Sequence, residues 1–299
     1  MSLANSIVNY RRHLKRRNYS AHTVKNYMNT LKHFVVWLDV AIEQVTNKKI
    51  LEYIDALLDK GLSAKTINCH LDSIRGFYEY LHHEEHLALP NPVKRGYALR
   101  LSRPLPRYLR DEQVAKLFGA ITSIRDRAIF MLMLRCGLRV EEVAHLTLAA
   151  IDSRRRRITV QNGKGGKGRV VYMSNDSFDA LVRYFALRPS SKAKKIFLVE
   201  KGTFRGKPLS VRGIQKRIEY YARKTGIKVS SHQLRHTMAT QLLNADADLV
   251  SIQDLLGHTR IRTTQRYCRV SNVKVERDYF KAMESVMQRT KPALQGGET

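Results

Sequence analysis

The sequence predicts a mainly α-helical protein with a small antiparallel β hairpin or sheet, divided into an N-terminal helical bundle and a mixed α+β domain. Amphipathic helical patterns recur through residues 1–88, and two β-rich runs flank a glycine-rich turn in the second half of the chain. The 299 residues, 43% of them hydrophobic, are enough to form two cores of ordinary size.

The helical bundle is predicted from two similar segments that lie 43 residues apart, one beginning at Ser20 and the other at Ser63. Each segment starts with a serine suited to cap a helix and then places apolar residues on one helical face. A third amphipathic helix is predicted over residues 50–58, ending near Gly61. The repeat indicates either a true duplication or shared helix chemistry. Residues 1–88 are therefore interpreted as an all-helical bundle.

Prolines mark the boundary between the two domains, at Pro90, Pro92, Pro104 and Pro106. Because proline removes a backbone donor and disfavours helix in the residue before it, residues 89–107 are interpreted as an extended, basic linker. This linker either follows a phosphate backbone or is simply solvated. Residues 108–290 form the second domain, and the proline- and glycine-containing tail at 291–299 is predicted to be disordered.

The second domain is predicted to begin with helices. One opens at Asp111 with acidic residues in its first turn, a buried one covers residues 128–136 and ends at Gly137, and another covers residues 139–146. Helices are expected again from Ser177 onward.

Between these helical regions, residues 157–160 and 169–173 are rich in β-formers. They flank residues 162–168, a glycine-rich turn, so an antiparallel hairpin with lysines at its tip is predicted.

Charge and cysteine content constrain the partners and the compartment. The 54 Lys and Arg residues exceed the 26 Asp and Glu residues, which gives a net charge of +28 and predicts a polyanionic partner, most commonly nucleic acid. The three cysteines, Cys69, Cys136 and Cys268, fit neither a disulfide framework nor a zinc site, which favours the cytoplasm. The sequence offers no apolar run long enough for a membrane span and no signal-peptide pattern, so no membrane association is expected.

The residues most suggestive of chemistry lie near the C-terminus, where His232, Arg235, His258 and Tyr267 fall within 36 positions. A phenol can attack a phosphodiester, and fixed cations can stabilise the charge that develops. A zinc site at His232, His236 and His258 is disfavoured, because the zinc-protease glutamate is missing and an intervening arginine would repel a cation. The segment therefore predicts covalent DNA strand breakage with no metal or nucleotide cofactor.

Five motifs, taken together in their order, identify a family. They are Cys136-Gly-Leu-Arg139-Val-Glu-Glu142-Val, Gly163-Lys164-Gly165, His232-Gln-Leu-Arg235-His236, Leu255-Leu-Gly-His258 and Thr263-Thr-Gln-Arg-Tyr267. Over about residues 107–290 the sequence resembles the tyrosine recombinase (phage-integrase) family, and is similar to compact Xer-type recombinases and integrases. The N-terminal bundle, residues 1–88, resembles the family's helical core DNA-binding domain more loosely. The resemblance implies two domains that clamp duplex DNA.

The resemblance also implies a phosphate clamp. Arg139 and Arg235 are expected to bind phosphate oxygens, which suits a guanidinium that stays ionised and binds bidentately. His232 and His258 are expected to donate to phosphate oxygens, and His232 is a candidate acceptor of the tyrosine proton. Glu142 either orients Arg139 or is a solvated carboxylate.

The nucleophile and the general acid follow from the same resemblance. Tyr267 is expected to form a 3′-phosphotyrosyl bond, and Lys164 to protonate the leaving 5′ oxygen, with Lys167 as the alternative. Tyr279, the rival tyrosine, lies in an apolar helical pattern and is expected to pack. Cys268 departs from the residue that commonly follows the nucleophile. His236 is interpreted as a structural residue that points away from the site.

The predicted function is therefore site-specific DNA recombination through a Holliday junction, by a homotetramer on two recombination sites. Residues 274–288 are expected to dock on a neighbouring subunit, and an accessory protein is an optional partner. Lys65, Asn68 and Arg75 are expected to contact DNA, either at base edges or at phosphates, and Lys167 to contact the backbone. The alternatives are a non-cleaving architectural DNA-binding protein and a type IB-like topoisomerase.

Overall fold

The computed structural model describes residues 3–102, 106–161, 168–258, 261–268 and 272–290. The chain divides into two compact units, Met1–Arg103 and Pro104–Thr299, and each has its own hydrophobic core. None of the helices in the described ranges is both long enough and apolar enough to cross a membrane.

The N-terminal unit is a helical bundle, as predicted. Its helices are α1 (Leu3–Arg16), α2 (Ala21–Trp37), α3 (Asn47–Asp59) and α4 (Ala64–His83). Ser20 and Ser63 cap α2 and α4 by accepting hydrogen bonds from backbone amides three residues later, which confirms the two predicted helix starts. The two helices also touch at equivalent positions, because the Thr30 hydroxyl donates to Ser73 Oγ at 2.6 Å.

The beginning of the predicted linker packs on this first unit. Val93 is buried in the bundle core. The amide of Asn68 on α4 makes two hydrogen bonds with the backbone of Leu99, at 2.9 and 2.8 Å. Asn91 donates to the carbonyl of Arg75 at 3.0 Å. The Asn68 side chain and the backbone of α4 at Arg75 therefore hold residues 91–99 against the bundle.

The second unit contains nine α-helices within the described residues. They are α5 (Asp111–Gly119), α6 (Ile124–Arg135), α7 (Val140–His145), α8 (Asn175–Leu187), α9 (Val211–Thr225), α10 (Ser231–Asn244), α11 (Leu249–Leu256), α12 (Ile261–Cys268) and α13 (Asn272–Thr290). Helix α6 is apolar over most of its surface and is buried between α8, α9 and α10, as its sequence predicts. It ends before Gly137, whose φ of +63° is one that glycine adopts without strain.

A three-stranded antiparallel sheet lies against this helical core. Its strands are β1 (Ile151–Asp152), β2 (Arg157–Val160) and β3 (Arg169–Tyr172), in the order β1-β2-β3. Ile158 pairs with Val171, and both side chains enter the core. The β2–β3 pairing confirms the predicted hairpin, whereas the short β1 was not predicted. Lys164 and Lys167, the lysines predicted at the tip of the hairpin, lie outside the described residues.

The last helix, α13, exposes large apolar side chains. Tyr279 is 58% exposed, and among the ring contacts of the described residues its ring contacts that of its neighbour Phe280. Tyr279 is therefore not buried within its own chain, and its packing against a neighbouring subunit stays a prediction. Arg277 forms an ion pair with Asp246 at 2.6 Å, which connects α13 to the loop after α10.

Candidate active site

Arg139 is positioned by the start of α7. It occupies the N-cap position, and its backbone amide donates to Glu142 Oε2 at 2.8 Å. Its guanidinium donates from Nη1 to Glu142 Oε1 at 2.7 Å. A glutamate at the third helical position commonly returns to the cap in this way. Glu142 therefore orients Arg139 and is not a solvated carboxylate.

Arg235 lies in the second turn of α10 and is only 4% exposed. Its two terminal nitrogens donate to the backbone carbonyls of Gly137 and Leu256. Burial, followed by the nearby charges of Arg139 and Arg169, lowers its pKa to about 9. At neutral pH the guanidinium is therefore still ionised, and two carbonyls fix its direction.

His258 follows directly after the turn that ends α11. Gly257 forms this turn with a φ of +58°, and its amide caps the helix. The Nδ1 atom of His258 lies 2.9 Å from the hydroxyl of Thr264, which is fully buried on α12. Burial and the charges of Arg235 and Arg139 lower the pKa of His258 to about 4, so the ring is neutral at pH 7. When Thr264 donates to Nδ1, the ring proton resides on Nε2 and is available to an oxygen ligand.

Tyr267 is buried on α12, with 2% of its surface exposed. Its hydroxyl lies 2.7 Å from Nδ1 of His236, and its ring stacks on His258 at an angle of 11° with 6.4 Å between centroids. The sequence interpretation of His236 as a residue pointing away from the site was therefore wrong. A signal was present in the sequence, because His236 is four residues after His232 and positions four apart share a helical face.

Arg169 is a second residue that sequence reasoning missed. It begins β3, and its guanidinium binds Glu142 with two parallel hydrogen bonds, Nη1 to Oε1 at 2.7 Å and Nη2 to Oε2 at 2.8 Å. Burial alone would raise the pKa of Glu142, but the hydrogen bonds and charges of Arg169 and Arg139 outweigh it and lower the pKa to about 2. Glu142 is therefore a carboxylate shared by two arginines.

His232 lies apart from this buried group, on the exposed first turn of α10. Together with His236 it lines a cleft of about 800 Å³, and the lining also includes the cationic residues Arg107, Arg223 and Lys228. The basic lining of this cleft is suited to phosphate groups. His236 therefore faces both the cleft and the hydroxyl of Tyr267.

The structure thus brings together four of the six predicted catalytic residues, Arg139, Arg235, His258 and Tyr267, around the end of α11. His232 lines the adjoining cleft, and Lys164 lies outside the described residues. The predicted DNA-binding residues Lys65, Asn68 and Arg75 all lie on α4 of the other unit, where Lys65 is exposed and Arg75 pairs with Asp72 at 3.0 Å. Lys167, the fourth of them, lies outside the described residues.

Comparison with known proteins assigns both units. The model of the phage integrase family matches residues 107–273, and the model of the phage integrase N-terminal SAM-like domain matches residues 5–85. Among curated proteins, tyrosine recombinase XerC of Thermodesulfovibrio yellowstonii is 35% identical over 276 residues, covering 88% of this chain and 91% of the relative. Tyrosine recombinase XerA of Pyrococcus furiosus is 32% identical over 249 residues, covering 81% of this chain and 84% of the relative.

Solved structures show the same similarity. A crystal structure of XerA recombinase has 25% sequence identity and a TM-score of 0.54, covering 93% of this chain and 98% of that one. A lambda integrase fragment in a dimer bound to a core site shares the fold with a TM-score of 0.74 at 19% identity, covering 89% of this chain and 95% of that one. The first family model matches more than half of the chain, and the chain covers most of the length of both curated relatives. The chain belongs to the phage integrase family and is a site-specific tyrosine recombinase.

Proposed function

We propose that this recombinase cleaves DNA through a 3′-phosphotyrosyl bond to Tyr267, with Arg139, Arg235 and His258 binding the scissile phosphate. The observation that carries the proposal is the convergence of these four side chains on the end of α11. They come from separate helices and are brought together only by folding. A nucleophile beside two fixed cations and a neutral imidazole supplies what phosphodiester transfer requires.

The proposed cleavage step transfers one phosphoryl group from the 5′ oxygen of the DNA to Tyr267. The Tyr267 oxygen bonds to phosphorus while the bond from phosphorus to the 5′ oxygen breaks. The phenol proton passes to His236, or to His232 in the adjoining cleft, and Lys164 gives a proton to the leaving oxygen, with Lys167 as the alternative donor. The phosphotyrosyl bond conserves the energy of the phosphodiester, so a 5′ hydroxyl of another strand can reverse the step without ATP.

The described structure holds the nucleophile in a closed position. Because Tyr267 is 2% exposed and its hydroxyl is bonded to His236, we propose that α12 shifts when the scissile phosphate arrives. Arg235 and Arg139 then stabilise the developing negative charge, and His258 contributes its Nε2 proton.

Duplex DNA with specific recombination sites is the proposed substrate. Supporting features are the net charge of +28 and the basic cleft beside His236. On the N-terminal unit, Lys65 and Arg75 are proposed to contact DNA. Asn68 is a weaker candidate, because a contact with a base would have to replace its two hydrogen bonds with Leu99.

We further propose a homotetramer on two sites, acting through a Holliday junction. One lambda integrase structure contains a tetramer bound to a Holliday junction, and we extend that arrangement to this chain. The exposed Tyr279 and Phe280 on α13 support docking of residues 274–288 on a neighbouring subunit. A cytoplasmic location is proposed from the sparse cysteines, and an accessory protein is an optional partner.

The test is a covalent trap. Nicked duplexes that lose a short fragment after cleavage would be selected from a genomic library, and the protein would be incubated with the selected site. A denaturing gel should show protein joined to a DNA 3′ end, and the Tyr267→Phe protein should give no such band while still binding the site.

The outcomes separate the remaining alternatives. Tight binding to the selected site without a covalent band would contradict cleavage and favour an architectural role. A Tyr267-dependent band with relaxation of supercoiled DNA, but with no four-way junction from two sites, would favour a topoisomerase.

A further inference from the structure

Among the described site residues, the Arg169 side chain makes the most hydrogen bonds after that of Glu142. None of the five sequence motifs includes Arg169. Its side chain is 8% exposed, and all three guanidinium nitrogens donate hydrogen bonds. Two go to Glu142 and the third, from Nε, goes to the carbonyl of Leu255 at 2.8 Å. This geometry requires the planar fork of arginine, which lysine cannot reproduce.

The first consequence concerns the charge of Arg139. Glu142 accepts two hydrogen bonds from Arg139 and two from Arg169. A carboxylate paired with Arg139 alone would offset most of the positive charge that this arginine presents to a phosphate. Because Arg169 shares the carboxylate, Arg139 retains more of its charge, and Arg139 is also the more exposed of the two, at 21% against 8%.

The second consequence concerns the end of α11. The carbonyls of Leu255 and Leu256 form the negative end of the helix dipole, and they accept hydrogen bonds from Arg169 and Arg235 respectively. Arg169 also lies directly against the turn that follows. A Cβ atom at Gly257 would come within 2.9 Å of Cδ of Arg169. Arg169 therefore contacts the backbone immediately before His258.

We propose that Arg169 is a positioning residue for strand cleavage, acting through Glu142 on Arg139 and through the last turn of α11 on His258. This inference rests on the proposed function and adds a residue that does not touch the DNA. Arg169 also begins the strand that leaves the predicted lysine-bearing turn, so one side chain ties that strand to both the arginine clamp and the histidine.

The test compares Arg169→Lys with a matched substitution elsewhere in the unit. Arg125 is 9% exposed, donates twice to Asp126 and once to the carbonyl of Leu198, and lies in a separate ion-pair cluster. With saturating trapped duplex, Arg169→Lys should slow formation of the Tyr267 adduct about 100-fold while the Kd for DNA stays unchanged. Arg125→Lys should cleave within a few-fold of the wild-type rate at a temperature where both variants are folded.

A second substrate distinguishes positioning from general destabilisation. When one non-bridging oxygen of the scissile phosphate is replaced by a methyl group, that phosphate carries no charge for Arg139 to offset. If Arg169 acts through Arg139, the loss caused by Arg169→Lys should be several-fold smaller on this substrate. An equal loss on both substrates, with a fall in Tm like that of Arg125→Lys, would overturn the inference.

Hydrogen exchange gives a readout that does not depend on cleavage. In the full-length protein, Arg169→Lys should speed exchange in a peptide covering residues 249–258, and Arg125→Lys should not. Unchanged exchange in that peptide overturns the inference whatever the cleavage assay shows. If wild type forms no Tyr267-dependent adduct, the proposed function fails, and the exchange result still decides whether Arg169 holds the end of α11.

Discussion

Among its described residues, the second unit contains two buried carboxylates that are each held by two arginines, and the two clusters differ in charge. Asp126, fully buried, accepts hydrogen bonds from Arg125 at 2.8 Å and from Arg217 at 2.6 Å. Glu200 lies 3.6 Å from Arg125 and adds a second carboxylate. In this cluster two arginines face two carboxylates, so the charges balance.

In the cluster at Glu142 the positive and negative charges do not balance. Arg139 and Arg169 bind this carboxylate, and Arg235 lies close enough for both arginines to lower its pKa while Glu142 opposes them. Within the described part of the site, three guanidiniums thus face one buried carboxylate. A neutral buried cluster can stabilise a fold, whereas a surplus of fixed positive charge is completed by an anion. We propose that the scissile phosphate binds beside this excess positive charge.

The largest expected effect follows from removing surplus charge. Arg139→Ala should slow the formation of the Tyr267 adduct about 10³-fold, because one donor to the developing charge is lost. Stability in urea should change by less than about 1 kcal/mol, because Glu142 keeps its two hydrogen bonds from Arg169 and Arg235 loses a repulsive neighbour. A large loss of stability with cleavage almost intact would contradict the assignment.

The balanced cluster should behave in the opposite way. Asp126→Asn leaves Arg125 and Arg217 without their shared charge partner in a buried setting, so unfolding in urea should become easier by about 3 kcal/mol. The rate of adduct formation at saturating DNA, measured where the variant is folded, should remain within a few-fold of wild type. If cleavage fell as steeply as in Arg139→Ala, the distinction between the two clusters would be lost.

Local sequence signals predicted the parts of these clusters that lie close together in the chain. Arg139 and Glu142 are three residues apart at a helix start, and the serines that cap α2 and α4 precede amphipathic patterns. The family motifs added Arg235, His258 and Tyr267, each at its place in the order. The helix signals needed only spacing and residue type, whereas the three motif residues came from the resemblance to the family.

The contacts that were missed depend on tertiary packing. Arg169 reaches Glu142 across 27 positions, and His236 reaches Tyr267 across 31. The spacing of His236 from His232 indicated a shared helical face, but it did not indicate Tyr267 as the partner. No periodicity within one segment specifies the partner in either pair, because each pair joins elements that approach only when the core forms. The packing of residues 91–99 on the bundle was missed for the same reason, since prolines mark a break in helix and do not say where the chain goes next.

A pH titration sharpens the comparison at Glu142. Because its folded-state pKa is lowered from 4.5 to about 2, the ionised carboxylate contributes stability above pH 4.5 that is lost as the pH falls toward 2. The contribution is about 3 kcal/mol. The difference in unfolding free energy between wild type and Glu142→Gln should therefore shrink progressively below pH 4.5.

The control for this titration is Glu141→Gln, which removes an exposed carboxylate from the same helix. That variant should follow the wild-type acid profile closely. A gap between wild type and Glu142→Gln that stays constant down to pH 3 would mean that the arginines do not hold Glu142 ionised.

The smallest expected effect concerns His236, which lies beside the surplus charge without belonging to either ion-pair cluster. His236→Phe removes the Nδ1 atom that lies 2.7 Å from the Tyr267 hydroxyl. If His236 receives the phenol proton, adduct formation at pH 7 should slow at least tenfold. The deficit should narrow as the pH rises, because more of the phenol is then ionised without needing an acceptor.

His232→Phe is the matched comparison, since His232 lines the same cleft four residues earlier and is exposed. Both rates would be measured against pH on the trapped duplex, with DNA affinity determined separately. A deficit that narrows at high pH only in His236→Phe assigns proton acceptance to the histidine that touches the nucleophile. A deficit that narrows at high pH only in His232→Phe would assign proton acceptance to His232. His236 would then only hold Tyr267 in its buried position. The pH dependence therefore decides which imidazole accepts the phenol proton beside the three arginines.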